Sequence, residues 1–240
     1  MGIAYNPLIV TDGLVLALDA ANSKSYPGSG TTWTDLSGNG NNGTLVNGVG
    51  YDSGNLGSLS FDGGNDRTLL PTNFFPFPSL TTFTISLWFK TSQTNGGTLF
   101  GQQNTSNPSS AGGWAPVIYL LTDGRIRIEP FWTANINNAI YSSSALNDNN
   151  WHNIITTFNS GTNQLYVDGV YNTQQTGKTL TSFTTTYYYI VGAGYAAVRS
   201  GIGPSYYFSG NISNFSFYNR ALTASEIQQN FNALRGRFGI

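Results

Sequence analysis

Side chains able to do acid–base or nucleophilic chemistry are scarce in this chain of 240 residues: eleven Asp plus Glu, one His and no Cys. Hydrolysis of a glycosidic bond normally needs two carboxyl groups flanking it, roughly 5 to 9.5 Å apart. Of the two Glu, Glu226 falls in Thr223-Ala224-Ser225-Glu226, the spacing of a helix capping box, in which the acid reaches back to the cap amide. Glu129 stands alone beside Pro130. Most Asp fall in turns (Asp123, Asp168) or loops (Asp35, Asp52, Asp148). A nucleophilic Ser needs a base beside it, and the sole imidazole, His152, lies in a strand-like run after Trp151 and reads as structural. No residue is assigned a catalytic role, and no enzyme activity is expected. Without Cys, disulfides and Cys-ligated zinc are excluded.

Stacking chemistry is better supplied. The chain has 5 Trp, 14 Tyr and 15 Phe. Trp114, Trp132, Tyr187, Tyr188, Tyr195, Tyr206 and Tyr207 lie in or near irregular stretches, and the loops 102–116, 131–150 and 193–206 are long enough to carry specificity. Binding residues concentrate on loops held by a rigid scaffold. A ring can stack on the apolar face of a sugar while Asn, Asp and backbone donors take its hydroxyls. Trp114, Trp132, Tyr195, Tyr206 and Tyr207 are therefore glycan-binding candidates, with plain packing as the competing reading for each. Trp88 and Trp151 read as core or sheet-face residues.

These side chains must be positioned by strands. FTISLWFK (83–90) alternates, with Phe83, Ile85, Leu87 and Phe89 on one face, the period of a strand with one side in a core. GLVLALDA (13–20), a short strand near Thr44–Asn47, SLSFDG (58–63), RTLLP (67–71), WHNIITTFN (151–159) and YYYIVG (187–192) read as further strands. Asp123-Gly124 and Asp168-Gly169 each sit between β-rich arms and predict hairpins with type I′ turns. Residues 207–219 predict a strand pair. After the capping box, Ile227, Phe231 and Leu234 recur on one helical stripe, and Gly236 can end the helix in the left-handed conformation. About a dozen strands and one C-terminal helix predict an all-β fold, a two-sheet antiparallel sandwich.

Composition narrows the partners. Only 9% of residues are charged and the net charge is −1, against the roughly 25% charged of an average soluble domain. Nucleic-acid binding needs clustered Lys and Arg, and ten cations spread along the chain form no such patch. No continuous apolar run of about 20 residues marks a membrane span, and the N-terminus carries no secretory signal pattern. Neutral polar residues replace the charge: 27 Asn, 27 Thr, 24 Ser and 29 Gly make up close to half the chain. Such a surface suits protein–protein contact, because charged residues are depleted in interface cores.

Four segments taken together carry a family resemblance: SFDGGNDRTLL (60–70), FTISLWFK (83–90), NNWHNIITTFNSGTNQLYVDGV (149–170) and GNISNFSFYNRALTASEI (210–227). In order and spacing the chain resembles the laminin-G-like, pentraxin-related branch of the concanavalin A-like lectin and glucanase jelly rolls. The closely spaced Glu-Asp-Glu cluster of the laminarinase-type members is absent. The resemblance implies a jelly-roll sandwich over 13–240, preceded by an N-terminal arm, 1–12. It also implies a calcium site built from the acids of the FDG-x-x-D segment, Asp62 and Asp66, with Asn214 where relatives often carry Asp; turn hydrogen bonds are the alternative use of these aspartates.

The opening, VTDGLVLALDAANSKSYPGSGTTWTDLSGNGNNGTLVNG (10–48), resembles the start of laminin-G-like domains in structural proteins of tailed phages, cyanophages especially. That resemblance implies a virion surface protein, a head decoration or other exterior protein, made in the host cytoplasm. Its partners would be capsid or other virion proteins, further copies of itself, and host-surface glycans. Ile3, Tyr5, Leu8 and Ile9 of the arm are candidates for docking by strand addition, or for an edge strand of the chain's own sandwich. A carbohydrate-binding adhesin domain is the alternative function, and a glycoside hydrolase a distant third. The initiating Met and the capped helix read as a complete chain.

Overall fold

Alternating apolar residues in FTISLWFK do place one face of a strand in a core, and the same pattern repeats until two sheets are built. The structure, a computed structural model, describes residues 8–72, 74–75, 81–109, 112–129, 139–180, 187–196 and 206–240. In chain order the first strands are β1 (Leu14–Asp19), β2 (Thr32–Trp33), β3 (Gly43–Val46), β4 (Gly50–Asp52), β5 (Ser58–Asp62) and β6 (Arg67–Leu70). Then come β7 (Thr82–Lys90), β8 (Gly97–Gln103), β9 (Trp114–Leu120), β10 (Arg125–Ile128) and β11 (Ile140–Ala145). The last are β12 (Trp151–Asn159), β13 (Thr162–Val167), β14 (Val170–Gln175), β15 (Tyr188–Val191) and β16 (Ser209–Tyr218), followed by the helix α1 (Ala224–Phe238).

Sheet A runs β14-β13-β12-β7-β16-β5-β4, with β1 also paired to β16; sheet B runs β11-β10-β9-β8-β15-β6-β3-β2. The first strand thus lies beside the last, Leu18 opposite Phe215. Every pairing among the described strands is antiparallel. The predicted all-β, two-sheet antiparallel sandwich with a single C-terminal helix is the observed fold. Its core lies between the sheets. Phe83, Ile85, Leu87, Ile154, Leu165 and Phe217 of sheet A meet Phe100, Val117, Ile126, Ile128 and Tyr189 of sheet B.

Three local expectations are corrected. Residues 207–219 form one ten-residue strand, β16, rather than a pair; its first half pairs with β5 and its second with β1. At Asp168-Gly169 both residues have positive φ (50° and 75°), as a type I′ turn requires. At Asp123-Gly124 only Gly124 does, with φ 80°; the Gly124 amide bonds to Leu121 O and the loop is one residue longer. The helix passes Gly236 and ends at Phe238, where Gly239 takes the left-handed cap at φ 76°. The capping box itself forms: Thr223 Oγ1 accepts from the Glu226 amide, and the Glu226 carboxylate accepts from the Thr223 amide.

The helix covers part of the outer face of sheet A. Trp88 stacks on Phe231 (centroids 5.5 Å, 7°) and on Phe238 (4.2 Å, 21°), and Trp151 leans on Phe238 at 4.7 Å. Polar ties fix this seat. Arg237 forms a two-pronged pair with Asp19 at 2.8 and 2.9 Å. Asn230 bonds the Tyr218 hydroxyl and the Val10 amide. Residues 8–12 follow the helix: Gln229 Nε2 donates to Leu8 O, the Tyr218 hydroxyl donates to Val10 O, and Arg220 pairs with Asp12. Leu8 keeps its side chain exposed, Ile9 is half-buried and Val10 is buried. Ile3 and Tyr5, the other two arm candidates, lie outside the described residues.

Candidate functional site

Antiparallel partners on neighbouring strands point to the same side of a sheet. Trp114 of β9 is the partner of Gln103 in β8, and Gln103 is the partner of Tyr188 in β15. The next residues, Tyr189 and Ala115, enter the core. Trp114, Gln103 and Tyr188 therefore form a row on the outer face of sheet B. Trp114 and Tyr188 are two strand spacings apart, about 10 Å.

Gln103 organises this row. Fully buried, it donates from Nε2 to the carbonyls of Thr105 and Asn107 (2.8 and 2.9 Å). Its Oε1 accepts from the Tyr195 amide at 2.8 Å. One side chain thus pins two loops to the sheet and brings Tyr195 against Trp114, with ring centroids 5.2 Å apart at 68°. Tyr206 continues the stack, 5.2 Å from Tyr195 and nearly parallel at 7°; its carbonyl accepts from the Gly194 amide. Trp114, Tyr195 and Tyr206 are all half-buried, so the stack is a shelf with an open side. Gly113 leaves room for the Tyr187 hydroxyl, which would lie 2.9 Å from a Cβ at that position. Beyond Tyr188 the face dips into a cavity of about 290 Å3 that Asn42, Thr44, Leu69 and Thr72 help to line. Tyr207 is half-buried beside the shelf, its backbone bridged to Ala193. Trp132 lies outside the described residues.

Such a surface offers two kinds of contact. Flat rings offer apolar area to C–H groups, and the surrounding amides and hydroxyls are neutral donors and acceptors. Sites of this kind combine apolar walls with a few fixed polar groups.

The three residues expected at a metal do not converge. Asp62 ends β5 opposite Ser209, whereas Asn214 is five residues further along β16, opposite Asp19 and Trp88. At about 3.3 Å per residue this separates Asn214 from Asp62 by roughly 16 Å. Asp62 and Asp66 do share one turn. Asp62 Oδ1 accepts from the amides of Gly64 and Asn65, and Asp66 Oδ2 accepts from the Asp62 amide. The Gly64 hydrogen bond holds the Asp62 carboxyl below its usual pKa, while burial, with the Asp62 charge beside it, raises that of Asp66. Calcium takes six to eight oxygens. Asp62 Oδ1 and Asp66 Oδ2 are taken by backbone amides, Asp66 Oδ1 is buried without a hydrogen-bond partner, and Asn214 is out of reach, so the expected three residues are not brought together. No group of three or more His, Asp or Glu suited to a metal occurs among the described residues.

The acids and the imidazole have structural partners. Both nitrogens of His152 face carboxylates: Nδ1 lies 2.9 Å from Asp168 Oδ2 and Nε2 lies 3.1 Å from Asp148 Oδ1. Burial of the ring opposes its charge, but the two carboxylates outweigh that and hold the pKa above the usual imidazole value. Asp148 is pulled down to about 2: its burial is outweighed by hydrogen bonds from Asn150 and by His152. Glu226 is also held at about 2, chiefly by Arg220, whose guanidinium grips both its oxygens. Asp35 accepts from the amides of Ala17, Ser37 and Asn41 and so folds the loop after β2.

Glu129 is not solitary. It is 1% exposed and bonded to Arg127 at 2.7 Å. Lys178 packs near both, and burial lowers its pKa to about 8. The sequence held one signal of this cluster: Arg127 of β10 and Glu129, one residue past its end, are two apart and so share a face. That Lys178 joins them, from a segment fifty residues on, has no local signal.

Residues 62–228 match the family described as the concanavalin A-like lectin/glucanases superfamily. No curated protein sequence matches the chain. Among solved structures, the binding domain of Paraclostridial Mosquitocidal Protein 1 is similar at TM-score 0.65 and 20% identity, over 93% of this chain and 52% of that one. Domain 4 of an extracellular arabinanase from Geobacillus stearothermophilus, in complex with arabinotriose, is similar at TM-score 0.61 and 18% identity, over 90% of this chain and 97% of that one. A Trypanosoma rangeli sialidase in complex with sialic acid gives TM-score 0.62 and 18% identity, over 94% of this chain and 33% of that one. The chain thus spans about a third of the sialidase and half of the mosquitocidal protein's domain. At these identities the likeness is one of fold.

Proposed function

Because the chain belongs to the concanavalin A-like lectin/glucanases superfamily, we propose that it is a non-enzymatic, glycan-binding sandwich domain. The observation that carries this reading is the half-open shelf of Trp114, Tyr195 and Tyr206 on the outer face of sheet B, pinned by buried Gln103. The arabinanase domain supports it: that structure holds arabinotriose and is covered almost in full by this chain. Against catalysis, the close acid pairs have structural uses: Asp148 and Asp168 hold His152, and Asp62 and Asp66 fold their own turn. The two Glu lie on opposite sides of the sandwich, Glu129 just after β10 of sheet B and bonded to Arg127, Glu226 in the first turn of α1 over sheet A and bonded to Arg220. A pair flanking one bond needs a gap under about 10 Å, which is the distance between the sheets alone. A glycan array followed by calorimetry tests the reading. Wild-type protein binds at least one neutral glycan, and Trp114→Ala weakens that binding about tenfold or more. Unchanged affinity in the variant, or turnover of the bound glycan, overturns it.

A second reading concerns where the domain works. The resemblance of residues 10–48 to the opening of tailed-phage structural proteins, with a surface poor in charge, favours an exterior virion protein that packs beside other subunits and presents the shelf outward. Mass spectrometry of purified particles is the test: a decoration protein is present at high copy, and its absence from particles rejects the role.

A further inference from the structure

The helix α1 and residues 8–12 leave part of the outer face of sheet A uncovered. There β12, β13 and the segment leading into α1 border a half-open cavity of about 470 Å3. Its size falls in the 300–1,000 Å3 range of small-molecule sites. Thr157, Asn159, Thr162, Gln164 and Thr223 line it with hydroxyls and amides, and Leu222 adds apolar wall. None of its lining residues is charged.

That lining selects a ligand by chemistry. An anion would need a cation, and the adjacent Arg220 is engaged by Glu226 and Asp12. A metal ion would need carboxylates; Glu226, at the start of α1, spends both oxygens on Arg220 and Thr223. A purely apolar ligand would strand polar side chains without water, which costs free energy for each group left unpaired. A neutral polyol offers donors and acceptors in equal measure and C–H surface for Leu222. Gln164 has acceptor capacity to spare. Its Oε1 is reached by the Thr157 and Tyr166 hydroxyls only at 3.4 and 3.5 Å, beyond the usual length of an O–H···O bond. Its Nε2 is directed to Gln174 Oε1 at 2.9 Å, which fixes the amide.

We infer that this cavity is a second saccharide site, for an uncharged mono- or disaccharide, on the side of the sandwich opposite the Trp114 shelf. It stands independently of the shelf: either site binds without the other, and a protein with both can bridge two glycan chains.

The test is an amide-resolved NMR titration of the full chain with glucose, galactose, arabinose and N-acetylglucosamine, with glycerol as the polyol control. At least one sugar produces saturable shifts of the Thr157, Gln164 and Thr223 amides. Those shifts persist in Trp114→Ala, so failure of the shelf and failure of this cavity are read separately. Gln164→Leu weakens them at least fivefold. Thr162→Tyr, which fills the cavity from its rim without removing an internal hydrogen bond, abolishes them while the thermal midpoint holds. Absence of saturable shifts with all four sugars overturns the inference. So do equal shifts with glycerol, or unchanged affinity in Thr162→Tyr.

Discussion

On the outer face of sheet A, Trp88 is stacked between the strands and two phenylalanines of α1 and is 1% exposed. On the outer face of sheet B, Trp114 meets Tyr195, which in turn meets Tyr206, and the three rings remain half-buried. Both arrangements are aromatic stacks on the outside of a sheet. They differ in what lies above them. A helix closes the first, held by Arg237–Asp19 at one end and by Arg220–Glu226 at the other. Two loops pinned by Gln103 flank the second and leave a side open. Stacking alone therefore does not make a site: the closed stack is a second core, and the open one has apolar area left to offer a ligand.

This contrast can be broken from either end. The largest effect is expected on the closed side. Phe231→Ala or Phe238→Ala removes a ring from a sealed cluster, and such truncations cost about 3–5 kcal/mol. Denaturant unfolding should show that loss while glycan affinity at the shelf stays unchanged. A small stability cost would mean that the helix is a loose cover, and the distinction between the faces would fail.

The reverse pattern is expected at Trp114. Its ring and its partners are half-buried, so Trp114→Ala should cost less stability than the about 3–5 kcal/mol of a fully sealed ring. Glycan binding should fall about tenfold or more, equivalent to roughly 1.4 kcal/mol. A stability loss as large as at the sealed rings, with glycan affinity unchanged, would make the shelf another piece of core.

A smaller effect sharpens the account of the closed side. Asp168 begins the turn whose Gly169 sits directly against Phe231, and Asp168 is held by His152. The folded-state pKa of His152 is raised, so its contribution is fully present below the unfolded value of about 6.5. It is lost as pH rises through the folded value. The melting midpoint should therefore fall as pH rises above about 6.5. His152→Gln should flatten that slope. With one His in the chain, a slope that persists in the variant would show that this latch contributes nothing.

The sequence by itself determined the fold class, the strands with clear alternation, the Asp168-Gly169 turn and the capping box. Each is written in neighbours: period two puts Phe83, Ile85, Leu87 and Phe89 on one face, and Thr223 reaches Glu226 within one helical turn. It also fixed the poverty of acid–base groups, since two Glu and one His bound any mechanism. It picked out Trp114, Tyr195 and Tyr206 as aromatics in irregular stretches but had no means to bring them together.

Tertiary structure decided that. Gln103 lies 92 residues from Tyr195, and their contact depends on β8 and β15 being neighbours in a sheet, which no local pattern encodes. The same physics separated Asn214 from Asp62, because both belong to sheet A but at different levels of β16. It also buried the second face of β7, Thr84, Ser86 and Trp88, by folding the end of the chain, α1 and the segment before it, back over it.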